Sequence, residues 1–187
     1  MTSDFPAIVD ACVLVQAAVR DTLLRLFERR LFLARWTDEI IEEVTGTLQQ
    51  KLGRTPQQTA HLVNELRVHF PDAWVEKGYR ELIPTMANDD EDRHVLAAAV
   101  RASCEVIVTY NLKHFPKESL DPFGITVKHP DEFLIDLYHA NREMVIHELH
   151  EQGAALVKPR SIHEVLTWLE TCQCTQFAKF IREKLAM

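Results

Sequence analysis

Glycine is scarce in this chain, with five in 187 residues, and no stretch forms the glycine-rich loop that cradles phosphates at the start of a helix. That weakens nucleotide-binding readings. No apolar run approaches the roughly 20 residues that span a bilayer. The start, Met1 to Pro6, lacks a basic region followed by an apolar stretch, so a protein of the cytoplasm, neither exported nor membrane-embedded, is expected. Cysteine is limited to Cys12, Cys104, Cys172 and Cys174. The first two lie in apolar segments and read as buried thiols, and the Cys172-Gln173-Cys174 pair has no second cysteine or histidine pair to complete a zinc site. Positive charge is also short. With 21 Lys and Arg against 28 Asp and Glu, the net charge is -7, which argues against a protein that coats nucleic acid by neutralising many phosphates. It leaves room for a nuclease, because divalent cations in an acidic site invert the local field. Arg29, Arg30, Arg35, Lys51 and Arg54 could meet phosphates, although a solvated helix face is the commoner use of such residues.

The remaining composition, 47% hydrophobic and 26% charged, is that of a globular protein whose length suits one main domain with a small appendage. Ala7-Ile8-Val9, ending on Asp10 and followed by Ala11 to Leu14, reads as a buried strand, and Leu31 to Ala34 as a second, with helical spacing around Leu23 to Phe27 between them. Thr37, then Asp38 and Glu39, opens a helix with an apolar stripe of Ile40, Ile41, Val44, Leu48 and Leu52. Gly53 closes it. Thr55-Pro56-Gln57-Gln58 is a capping box for a helix through about Phe70, which Pro71 ends. A short strand is expected within 73 to 79, a helix from the acidic stretch Asn88 to Asp92 onward, and strands at Glu105 to Thr109 and Ile125 to Val127. Strands alternating with helices argue an α/β fold with a parallel sheet. After His129-Pro130 the pattern is helical: a long helix over 131 to 150, a second opened by the capping box Ser161 to Glu164, and a third over 175 to 185.

Three acids stand where α/β sheets build sites, at the carboxyl end of a strand or on the adjacent helix: Asp10, Glu43 and Asp92. If the strands carrying Asp10 and Val106 to Thr109 are neighbours, all three carboxylates reach one end of the sheet. Carboxylates that close repel one another unless a cation shares them, so the pattern predicts hard divalent ions with oxygen ligands. Such ions can activate a water and stabilise the leaving oxygen in phosphodiester cleavage. Each acid has a plainer use: Asp10 could cap a turn, Glu43 could be solvated, and Asp92 could close a capping box with Asp89 as N-cap.

Ile8 to Leu14, Thr37 to Val44, Asp89 to Leu96 and Val108 to Leu112 resemble, in order, the four acidic motifs of PIN domains. The resemblance covers roughly residues 5 to 135. It implies a three-layer α/β/α sandwich with a central parallel sheet at residues 1–135 and a helical C-terminal extension packed on it at residues 136–187. It further implies Mg2+- or Mn2+-dependent endoribonuclease activity through a metal-activated water, with Asp10, Glu43, Asp92 and Asn111 as catalytic and metal-binding positions. In prokaryotic members of the VapC-like subgroup it implies the toxin role of a type II toxin-antitoxin pair. Expected partners are therefore an RNA substrate, a cognate antitoxin and a second copy of the chain. Two positions depart from the pattern. Asn111 stands where an acid is usual, and an amide can ligate a hard cation but brings no charge. Cys12 stands where Asn is common. The alternatives are a PIN-fold RNA- or protein-binding module with a weakened site, and a different α/β hydrolase of small phosphate esters. His139, His147 and His150 lack the HExxH pattern and read as surface or interface residues rather than zinc ligands.

Overall fold

The computed structural model describes residues 5–186, so most of the N-terminal stretch read above for export lies outside the described residues. In chain order the elements are β1 (Pro6–Val9), α1 (Ala11–Leu14), α2 (Ala17–Glu28), β2 (Leu33–Arg35), α3 (Asp38–Gln50), α4 (Pro56–His69), α5 (Arg93–Arg101), β3 (Val106–Val108), α6 (Lys117–Leu120), β4 (Thr126–Lys128), α7 (Pro130–Ala140), α8 (Arg142–Ala154), α9 (Ile162–Thr171) and α10 (Thr175–Leu185). The α/β class expected from the alternation is what the chain forms. Two compact units are present, one made of residues 5–15 and 33–128 and the other of residues 16–32 and 129–186.

The first unit holds a four-stranded sheet in the order β2-β1-β3-β4, every pair parallel. β1 and β3 are therefore central neighbours, with Val9 opposite Val108. Ile8, Val9, Ile107 and Val108 are buried, as near-continuous β-branched runs are when both faces of a parallel sheet are covered. α3 forms as its sequence dictates: the Thr37 hydroxyl accepts from the Ile40 N–H at 3.1 Å, Asp38 and Glu39 occupy the positive end, and Ile40, Ile41, Val44 and Leu48 are buried. Leu52 leaves the stripe, because the helix has ended before it, and is 57% exposed. Gly53, at φ +63°, turns the chain into the Thr55–Gln58 capping box of α4, which is present in both directions.

Several expected elements differ. β1 ends before Asp10 as expected, and Ala11 to Leu14 after it is a short helix, because the Asp10 carboxylate accepts from the Ala11 N–H at 2.6 Å and caps it. β2 starts at Leu33 rather than Leu31. Residues 73 to 79 hold no strand; Trp74 makes a single parallel bridge to Trp36, set between short 3-10 turns at Pro71–Ala73 and Arg80–Thr85. Leu82, Ile83 and Pro84 lie in the second of these turns.

The second unit is helical. Its core includes Leu23, Leu26, Phe133, Leu137, Val145, Leu149, Leu166 and Phe177, with Phe32 and Phe133 edge to face at 5.1 Å between centroids. Two buried polar side chains are matched: Glu148 takes the Arg29 guanidinium at 2.6 Å, and Gln152 accepts from Thr22 at 2.7 Å while donating to the Ala18 carbonyl at 3.0 Å. The helix expected over 131 to 150 is two helices. Asn141 breaks it with extended backbone, and its side chain accepts from the Met144 N–H at 3.1 Å to cap α8. The stop is therefore a cap, a role in which Asn is strongly favoured. Gly153 lies inside α8 because a Cβ there would stand 2.3 Å from the Arg160 carbonyl oxygen. The Ser161–Glu164 capping box and α10 follow expectation.

Asp131 ties this unit together. It is buried in the first turn of α7, and its two carboxylate oxygens accept from the N–H groups of Gln176 at 3.0 Å and Phe177 at 2.7 Å, at the start of α10. Asp131→Ala removes both acceptors and leaves the buried Phe177 N–H and the part-buried Gln176 N–H unpaired. The expected cost is about 2 kcal/mol, read as a lower urea midpoint with unchanged slope; an unaltered midpoint would show that α10 docks without this cap.

Candidate active site

Pairing of β1 with β3 brings Asp10 beside Thr109, each the residue after its strand. The Asp10 N–H donates to the Val108 carbonyl at 3.0 Å, and the Thr109 hydroxyl donates to Asp10 Oδ2 at 2.6 Å. Asp10 Oδ1 takes the Ala11 N–H. The carboxylate is 3% exposed, so these bonds offset the desolvation of its charge. Cys12 Sγ lies 3.1 Å from Asp10 Oδ2 and 3.3 Å from Thr109 Oγ1. Burial, then the Asp10 charge, pushes the Cys12 thiol up to about 12. It therefore stays protonated and donates to Asp10 where the PIN motif commonly has Asn. Cys12 is half-buried rather than fully buried, while Cys104 is buried as expected.

Asp92 ends a 3-10 turn, Asp90–Asp92, that leads into α5. The capping box expected here does not form. Asp89 caps the turn by accepting from the Glu91 N–H at 3.2 Å, but the Asp92 carboxylate turns to His114, whose Nδ1 is 2.5 Å from Oδ2. Burial raises the Asp92 pKa, the His114 contact opposes that, and the Asp10 charge adds to it. Asp89, Asp92 and His114 each offer one ligand atom, all within 4.8 Å of one another.

Glu43 projects from α3 toward α5. Its Oε1 stands 2.9 Å from His94 Nε2, while Glu39 Oε2 is 3.9 Å from His94 Nδ1 and Glu39 Oε1 takes Arg80 Nε at 3.1 Å. A row of alternating charge, Arg80, Glu39, His94, Glu43, thus runs along one side of the site. Burial works to lower the His94 pKa, but contact with Glu43 and the charges of Glu43, Glu39 and Asp10 outweigh it and hold it above its ordinary value. The Asp10 charge thereby acts on both Asp92 and His94, which links the three predicted acids electrostatically. Asn111 joins through the backbone: its N–H donates to Thr109 Oγ1 at 3.0 Å and its carbonyl accepts from the His114 N–H at 2.9 Å. Its side chain makes no capping bond to the turn Leu112–His114 that it opens.

His94, His114 and Thr109 lie within or next to the acidic motifs but are absent from the residues that sequence patterning places in the site. Thr109 was legible as the residue matching Asp10 across a parallel pair. Nothing local marks the histidines, whose partners Glu43 and Asp92 lie 51 and 22 positions away.

The elevated His94 pKa has a defined consequence for stability. Its contribution is complete below the unfolded-state value near 6.5 and is lost as pH rises through the higher folded-state value. Asp92 acts with the same sign in the acidic range, above its ordinary 3.8. The chelator-treated protein should therefore melt at progressively lower temperature as pH is raised from about 6.5, and His94→Gln should flatten that slope. A slope identical in the two proteins would exclude His94 as its source.

The sequence family described as PIN domain matches residues 6–113, and that described as VapC50 C-terminal domain matches residues 130–183. The chain is 48% identical over 104 residues to the "Putative ribonuclease VapC50" of Mycobacterium tuberculosis (strain ATCC 25618 / H37Rv), covering 54% of this chain and 60% of that protein. No solved structure gives a significant match. Asp10, Glu43, Asp92 and Asn111 all fall inside the matched region, so by sequence and by its parallel sheet this chain belongs to the PIN-domain family, joined to a VapC50-type C-terminal region.

Proposed function

We propose that this protein is a divalent-metal-dependent endoribonuclease whose site is built from Asp10, Glu43, Asp92 and Asn111. The observation that carries the reading is the buried Asp10 carboxylate at the paired ends of β1 and β3, its charge acting on Asp92 and on the histidine that contacts Glu43. The surroundings of Asp92, the one proposed ligand in this cluster, fit a cation. Asp89, Asp92 and His114 present ligand atoms within 4.8 Å of one another, and burial raises the Asp92 pKa, a cost that a bound cation would relieve. Asp10, Glu43 and Asp92, with Asn111 through its amide oxygen, are the residues that would hold Mg2+ or Mn2+. A cation held there supplies Lewis acidity and offsets the negative charge that builds on a phosphodiester during cleavage.

The chain's own residues supply orientation. Thr109 and the Ala11 N–H fix both oxygens of Asp10, and His94 and His114 set Glu43 and Asp92 in the way that outer partners orient ligands. In the net reaction a water oxygen bonds to phosphorus as one P–O ester bond breaks, and the leaving alkoxide takes up a proton. RNA as substrate, and an antitoxin protein as partner in a toxin-antitoxin pair, are supported by family membership and by the relative named as a ribonuclease. Residues 1–135 form the nuclease domain and residues 136–187 its helical extension in this reading, and a homodimer is compatible with it.

Asp10→Asn, Glu43→Gln and Asp92→Asn should each lower metal-stimulated cleavage of single-stranded RNA by about two orders of magnitude or more, since each removes part of a charge contribution of several kcal/mol. Cleavage that persists in chelator, or in all three variants, would overturn the assignment. Asn111→Asp adds a carboxylate and, in the apo site, repulsion that a cation relieves. Calorimetric titration with Mg2+ and Mn2+ should show tighter binding, whether or not turnover rises. Unchanged affinity would place Asn111 away from the ion.

A further inference from the structure

A groove of about 860 Å³ lies within the helical unit, between the start of α8 and the end of α10. Its floor is closed by aromatic packing: Tyr138 meets Phe180 edge to face at 5.0 Å between centroids, and His139 lies 5.5 Å from the same ring. Each wall repeats one pattern. On α8 the groove is lined by Arg142 and, one turn later, Ile146; on α10 by Phe180 and, one turn later, Lys184. Each wall therefore offers an apolar residue and a cation at i,i+4 spacing. Leu185, 37% exposed, adds apolar surface at the mouth.

Arg25, Arg29, Arg160 and Arg182 each meet a carboxylate, of Asp21, Glu148, Glu164 and Glu170 respectively. Among the described residues Arg142 and Lys184, like Lys158 and Lys179, have no carboxylate partner, but these two alone of the four line the groove, and the Lys184 Nζ rests 5.4 Å from the Phe180 ring. Arg142 also occupies the first position of α8, where the helix field is already positive and a cation is disfavoured. His139 and His147 add capacity for positive charge on the same rim, against one acid, Glu143.

We propose that this groove docks an amphipathic helix of a partner protein, presenting apolar residues to Ile146, Phe180 and Leu185 and carboxylates at one-turn spacing to Arg142 and Lys184. Aliphatic Ile146 and Leu185 favour side chains over stacked bases, and the i,i+4 repeat of both walls matches helix-in-groove recognition. Opposite charge across the rim selects the partner and speeds its arrival. The groove shares no residue with the acidic cluster, so the proposal stands or falls independently of the nuclease reading.

The test is selection of a random 16-residue peptide library displayed on phage against the full chain, with the double variant Arg142→Glu and Lys184→Glu as counter-selection. Both residues are exposed, and the variant's circular dichroism melt checks its fold. Peptides that bind the parent and are rejected by the variant should carry Asp or Glu one turn from Leu, Ile or Phe. A synthetic copy should lose at least tenfold in affinity to the variant, and should bind the parent more weakly as salt is raised. Selected peptides that are neutral or basic, or that bind both proteins equally, would overturn the proposal. Oligouridine binding that the double variant abolishes would assign the groove to RNA instead, and self-association of the parent that disappears in the variant would assign it to a second copy.

Discussion

A carboxylate buried at the end of a central strand must be surrounded by donors, and that requirement organises the sheet end of this protein. Asp10 meets it with a backbone N–H, a hydroxyl and a thiol. The hydroxyl comes from Thr109, so the arrangement exists only while β1 and β3 are paired in their observed register. A shift by one residue would carry Thr109 to the other face and remove one of the three donors to the buried Asp10 charge, at a cost of about 1–3 kcal/mol.

Around that anchor other acids each meet a basic side chain. His114 stands against Asp92, His94 against Glu43, and Arg80 against Glu39. This alternation lets an acid-rich end persist, since each added carboxylate next to an unscreened one would raise pKa values and lower stability. The same contacts orient the carboxylates. Buried acids of the helical unit serve differently. There Asp131 caps α10 and Glu148 binds Arg29, so burial of charge supports packing and not chemistry.

Local rules carried far. The caps at Thr37, Thr55 and Ser161 and the stripe of Ile40, Ile41, Val44 and Leu48 formed as their spacing dictates. The rules failed where two were in competition. Ala11 to Leu14 is apolar enough for a strand, but Asp10 at a strand end is also an N-cap, and the cap prevailed. Asn141 sits inside a run of helical periodicity, and only its side-chain bond to Met144 shows that it starts a new helix. Asp92 could have closed a capping box, but a histidine 22 residues away made the better partner.

By itself the sequence determined the alternation of strands and helices, the apolar central strands, and the acids that stand at their ends, because periodicity and capping act over a few residues and leave their mark in composition. It also carried the family resemblance through four ordered motifs. Only the tertiary structure decided that His94 and His114 contact Glu43 and Asp92, that Cys12 donates to Asp10, and that Arg142 and Lys184 share one groove. These pairings join residues on separate elements, and electrostatic and hydrogen-bond partners separated along the chain are chosen by strand order and helix packing, which no local spacing records.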